Sequence, residues 1–103
     1  MIRVVLTTFA NSDDAARVVR MLVEEKLAAC GTLLPGARSI YSWQGKIEDS
    51  AEAVVLMKTT ASKYESLRER LLALHPYETP EIIALDPSDV APKYADWLTA
   101  ACS

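Results

Sequence analysis

One stretch of the chain, Arg38 to Thr59, constrains the fold more than any other. It reads Arg-Ser-Ile-Tyr-Ser-Trp-Gln-Gly-Lys-Ile-Glu-Asp-Ser-Ala-Glu-Ala-Val-Val-Leu-Met-Lys-Thr. Gln44-Gly45 is a tight-turn signal between two runs rich in β-branched, aromatic and aliphatic residues, so the segment predicts one long β-hairpin. Its second arm, Lys46 to Thr59, holds neither Pro nor Gly. At ~3.3 Å per residue that arm would be about 45 Å long. A compact domain of this chain length has a radius of gyration of roughly 13 Å and a diameter of about 34 Å. The arm outruns its own domain. Cover from outside the monomer, by strand exchange or edge pairing, is therefore expected, because long open edges invite aggregation.

Composition narrows the partners. The 103 residues predict a single domain over 1–103, with a real core but a modest buried fraction. Eleven Lys and Arg against fourteen Asp and Glu give a net charge of −3. No basic stripe stands ready to neutralise phosphates, so neither nucleic acid nor an anionic membrane is an expected partner. Cys30 and Cys102 lie far apart without framework spacing, which predicts reduced thiols in a cytosolic protein. The acidic Asp13-Asp14 after a short apolar run is wrong for a signal peptide, and no apolar run approaches the ~20 residues that span a bilayer.

The remaining segments alternate in type. Ile2 to Phe9 is a β-branched apolar run that predicts a flanked strand. Asn11 or Ser12 can cap a helix from about Asp13 to Lys26, whose Ala15, Val18, Val19, Leu22 and Val23 recur at helical spacing. Pro35-Gly36 reads as a bulge in the hairpin's first arm. Ser62 with Glu65 makes a capping-box signal, and Tyr64, Leu67, Leu71 and Leu74 mark the buried stripe of a second helix ended by His75-Pro76. Glu81 to Leu85 predicts a short buried strand. Pro92 opens a third helix with Tyr94, Trp97, Leu98 and Ala101 on one face. The order is β-α-β-β-α-β plus a terminal helix. That predicts an α+β, ferredoxin-like βαββαβ sandwich with a long central hairpin and an extra C-terminal helix.

Several strings carry a more specific resemblance. Glu25-Lys-Leu-Ala-Ala-Cys30, Leu34-Pro-Gly36, Ile40-Tyr-Ser-Trp-Gln-Gly-Lys-Ile47, Lys58-Thr59 and above all His75-Pro-Tyr-Glu-Thr-Pro-Glu-Ile82 resemble the CutA family of divalent-cation tolerance proteins. The resemblance covers nearly the whole chain. It implies a ferredoxin-like fold, a cytoplasmic location in bacteria, and a tight homotrimer closed by long β-hairpins. It also implies a response to metal ions, copper among them. Some family members carry a copper site made from a first-strand cysteine and two adjacent histidines before the Pro-Tyr. In this sequence the corresponding positions are Thr7 and Leu74-His75, so one of three ligands remains.

The candidate site residues follow from these strings. His75, Tyr77, Glu78 and Glu81 put a ring nitrogen, a phenol and two acids into one rigid Pro-bounded loop, which suits a cleft; His75 reads equally as a turn-fixing helix C-cap. Cys30 and Lys58 are further candidates for the cleft, against a packed thiol and an edge-protecting lysine. His75 and Cys30 are the candidate metal ligands. Copper or another divalent cation would bind weakly through them, or through Glu48, Asp49 and Glu52 gathered in a trimer, and no cofactor is certain. Tyr41 and Trp43, near the hairpin tip, are expected oligomer-interface anchors.

No enzyme is expected. The sequence lacks a Ser-His-Asp set, a dinucleotide fingerprint and a phosphate-cradling loop, its only glycines being 31, 36 and 45. Three function classes stay open. One is a trimeric, weakly copper-binding cation-tolerance protein. Another is a PII-like trimeric regulator that binds a small ligand, an anion or a nucleotide, in its intersubunit clefts, where a metal ion is also a candidate. The third is a structural or anchoring trimer.

Overall fold

A computed structural model describes all 103 residues. The elements are β1 (Ile2–Phe9), α1 (Ser12–Glu24), β2 (Cys30–Trp43), β3 (Lys46–Thr60), α2 (Ala61–Leu74), β4 (Ile82–Leu85) and α3 (Pro92–Ala101). The four strands form one antiparallel sheet in the order β2-β3-β1-β4. This is the expected ferredoxin-like arrangement. The longest molecular axis is 44 Å against 26 and 22 Å for the others, as an overlong hairpin requires.

The hairpin turn places Gln44 at φ +51° and Gly45 at φ +79°, the two left-handed positions of a type I′ turn, whose twist matches that of the arms. Trp43 faces Lys46 across it, and the ladder continues to Ala37 opposite Glu52. The register then shifts between Leu34 and Ala37, with Gly36 at φ +74°, so Pro35-Gly36 is the predicted bulge. An ion pair of Arg38 with Asp49 bridges the arms.

Side chains alternate across the sheet, and the two faces differ. Val5, Phe9, Ala53, Val55 and Met57 pack under α1 and α2 against Val18, Leu22, Leu67 and Leu71. Their strand neighbours Val4, Leu6, Val54 and Leu56 point the other way and are only half-buried. Ile83 and Leu85, opposite Leu6 and Val4, belong to this same open face and are 45% and 49% exposed. β4 is therefore an edge strand beginning at Ile82, not the buried strand from Glu81 that its composition suggested. Only β1 flanks it, and no helix covers its outer residues.

Three further features differ from the sequence reading. α1 ends at Glu24 because Lys26 takes φ +61°, and Leu27 N–H then bonds Leu22 O at 3.0 Å in a Schellman-type closure. The capping box at Ser62 does not form. β3 runs straight into α2, Thr60 is the N-cap, and Met1 O accepts from Ala61 N–H at 2.8 Å. Ser62 Oγ lies 3.2 Å from Thr60 Oγ1, while Glu65 pairs with Arg68. In α3, Leu98 and the following Cys102 pack on Ile2 and Ala29, with Ala95 beside them. Tyr94 and Trp97 point outward, 41% and 50% exposed, because the buried stripe runs one residue out of phase with them. The N-cap of α1 does follow expectation: Asn11 Oδ1 accepts from Asp14 N–H at 2.8 Å. No helix is long and apolar enough to cross a membrane.

Candidate functional site

His75 ends α2 and is turned inward by its extended backbone (φ −73°, ψ 131°) ahead of Pro76. Its ring stacks on Phe9, centroids 4.2 Å apart and 15° from parallel. Nε2 lies 2.7 Å from Thr8 O, and Tyr77 N–H donates to Nδ1 at 3.1 Å. A carbonyl only accepts, so the proton sits on Nε2 and the ring is the neutral tautomer. Burial lowers its pKa below 6.5; the Thr8 carbonyl and the nearby Glu52 oppose that shift. Of the two readings of His75, this geometry is the turn-fixing one. The ring pins the loop after α2 to the end of β1.

The loop then delivers Tyr77. Its hydroxyl donates to Glu52 Oε2 at 2.6 Å, and its ring lies 4.7 Å from that of His75. Burial, then the Glu52 hydrogen bond and charge, push the phenol well above its ordinary pKa of 10. Glu52 itself is only 9% exposed. Beside this pair opens a cleft of about 400 Å³. Tyr41 and Trp43 of β2 form one wall, Glu52 of β3 the base, and Tyr77, Glu78 and Glu81 of the loop the other wall. No Lys or Arg lines it. Of the predicted cleft residues, Tyr77, Glu78 and Glu81 thus meet there, joined by the two aromatic residues assigned to the interface.

Cys30 and Lys58 lie elsewhere. They face each other across β2 and β3, four residues along β3 from Val54, the partner of Thr8. That is a separation of ~13 Å from the His75 end of the sheet. Lys58 Nζ donates to Thr32 Oγ1 at 3.2 Å, and half-buried Cys30 has its Sγ 3.5 Å from Tyr94 Oη. Cys102, at the end of α3, is 2% exposed, its Sγ 3.9 Å from Thr59 Oγ1.

A resident copper centre does not fit these residues. Both His75 ring nitrogens are engaged, and Cys30 is remote. Thr7 is fully buried with its hydroxyl unpartnered, and Asp49 is held by Arg38. No three His, Cys, Asp or Glu side chains lie close enough together to hold a metal ion.

The cleft residues missing from the sequence-based site are Thr8, Thr79 and Glu52 as its base. Glu52 carried a readable signal. It is an acid placed between the hairpin ladder and the apolar run Ala53-Val-Val-Leu-Met57, on the strand facing β1.

An antiparallel four-stranded sheet backed by helices, with an overlong hairpin and an acidic, aromatic cleft, defines a small α+β domain of the ferredoxin-like type. The sequence profile of the CutA1 divalent ion tolerance proteins matches residues 3–101. The divalent-cation tolerance protein CutA of Thermus thermophilus is 45% identical over 98 residues, covering 95% of each chain. A solved divalent cation tolerance protein of the same species superposes with a TM-score of 0.94 at 44% identity, covering 98% of both chains. The periplasmic divalent cation tolerance protein CutA of Archaeoglobus fulgidus reaches 0.96 at 31% identity over the full length of each. The chain belongs to the CutA1 divalent ion tolerance family.

Proposed function

We propose that this chain serves divalent-cation tolerance as a cytoplasmic homotrimer with a ligand cleft beside each subunit boundary. The observation that carries the reading is the uncovered sheet face. Val4, Leu6, Val54, Leu56, Ile83 and Leu85 form an apolar layer that α1 and α2 leave open, with α3 packing only at its Ile2 end. Such a layer is stable when another element buries it. The hairpin offers the means, because Leu34, Ile40 and Ile47 on it are 50%, 66% and 75% exposed. Tyr41 and Trp43, 44% and 43% exposed, stand where the hairpin meets the cleft.

Metal response in this reading involves weak, distributed binding of copper or another divalent cation, at exposed carboxylates and at Cys30, with no resident centre and no catalytic step. The cleft favours a second element of the same reading, a PII-like small-ligand site, since its walls are already formed by three aromatic rings. Native mass spectrometry of protein taken directly from cells tests the proposal in one measurement. The expected spectrum is a trimer without stoichiometric metal. A folded monomer at sub-micromolar concentration would sink the assembly. A tightly held copper per chain would sink the distributed binding.

A further inference from the structure

The cleft has a chemistry of its own. It brings together three carboxylates, of Glu52, Glu78 and Glu81, and three aromatic side chains, Tyr41, Trp43 and Tyr77, with no basic residue among its walls. Surface acids alone would carry no weight, but Glu52 is not on the surface. It is nine-tenths buried, lines the cleft, and forms no ion pair in the chain. Its one hydrogen bond is to Oε2, from Tyr77, leaving Oε1 without a partner. The adjacent imidazole supplies no charge, since His75 is held neutral between Thr8 and Tyr77. A buried carboxylate in that position gains most from a cation that enters the cleft.

Two kinds of cation compete for such a site. A hydrated divalent metal needs several oxygen donors within one coordination shell, and the three carboxylates line the cleft without closing to a group that could hold a metal ion. An organic cation uses what is present: ring faces attract its ammonium group, carboxylates accept its N–H bonds, and the same rings cover its aliphatic body. With acids at the base and on the rim, a ligand with more than one ammonium group is better matched than a monoamine. We propose that the cleft is a binding site for an aliphatic polyamine, one ammonium group meeting Glu52 and another meeting Glu78 or Glu81. This deepens the ligand-site reading above and rests on it.

Isothermal titration of the assembled protein with diaminobutane and spermidine provides the test, with butanediol as the neutral isostere and Mg²⁺ as the metal probe. Saturable binding of the amines, tighter for spermidine and absent for the diol, is expected. Glu52→Gln keeps an acceptor for Tyr77 and removes the charge, and should weaken amine binding roughly tenfold to a hundredfold, the usual weight of a charged hydrogen bond. Should that buried variant misfold, Glu78→Gln and Glu81→Gln at exposed positions are each expected to weaken spermidine more than diaminobutane. No heat with either amine, equal binding of the diol, or amine affinity unchanged in the folded charge-removing variants would overturn the assignment. So would Mg²⁺ displacing the amines beyond an ionic-strength-matched NaCl control. Native mass spectra of the same samples separate the two readings. An intact trimer that ignores amines fails this inference alone, whereas a monomer that binds them fails only the assembly.

Discussion

Val5 and Leu6 are neighbours on one strand, yet Val5 is wholly buried beneath the helices while Leu6 is half-exposed on the opposite face. The same contrast runs through β3, where Val55 and Met57 are fully buried and Val54 and Leu56 are not. Both faces are apolar, so composition does not separate them. What differs is whether the chain supplies its own cover. The helical face is completed by local sequence, α1 and α2 each following directly on a strand. The open face lacks such cover along most of its length, and under the assembly proposed above its contribution to stability depends on concentration.

The sharpest way to break that contrast is a pair of truncations. Leu67→Ala, on the covered face, should cost about 3–5 kcal/mol whatever the protein concentration, read from urea unfolding. Leu6→Ala should cost less in dilute solution and progressively more as assembly proceeds. Equal, concentration-independent losses would abolish the distinction between the faces. Trp43→Ala comes next. A fully buried tryptophan is worth about 3–5 kcal/mol, and this partly exposed one should cost roughly 2 kcal/mol, chiefly as weakened association. If the melting temperature of the mutant is unchanged at all concentrations, the hairpin tip makes no interface.

Smaller effects sharpen the picture on the covered side. Thr7 buries a hydroxyl with no partner, so Thr7→Val should stabilise by about 1 kcal/mol, seen as a higher midpoint in denaturant. The least effect is in pH. Burial lowers the His75 pKa in the folded state below its unfolded value of 6.5, so on acidification the unfolded chain takes up a proton first. Stability is then fully present above pH 6.5 and is lost as pH falls below it toward the lowered folded value. His75→Gln should flatten that part of the pH–stability curve. A wild-type curve already flat there would mean the imidazole titrates freely.

Where the sequence was legible, a local rule decided the outcome. Gln44-Gly45 could only be a tight turn, Pro35-Gly36 disrupts the ladder where bulge chemistry predicts, and Asn11 caps α1 through its own side chain. Where it was not, a distant group decided. Ser62 and Glu65 match a capping box, but sheet pairing to Met1 sets the start of α2 instead. The site divides along the same line. Tyr77, Glu78 and Glu81 are close in sequence and stayed together, while Cys30 and Lys58 were grouped with His75 by chemical type and lie at the other end of the strands. Glu52 was half legible: an acid heading the apolar run Ala53-Val-Val-Leu-Met57 marks it out, but its pairing with Tyr77 depends on where the loop after α2 comes to rest.

The hairpin also has a consequence in time. β1 cannot complete its pairing until β3 exists, since Ile2 faces Thr60 and Phe9 faces Ala53, whereas β2 and β3 are joined by two residues. Pairing between near neighbours forms first, on the order of 1–10 μs for a hairpin. A ribosome adds only ~5–20 residues per second, so α2 and β4 emerge seconds later. During synthesis the hairpin is therefore a finished ladder before α2 and β4 can join it. The Arg38–Asp49 pair, exposed and of small weight in the mature fold, then holds register and adds charge on the segment most prone to wrong pairing.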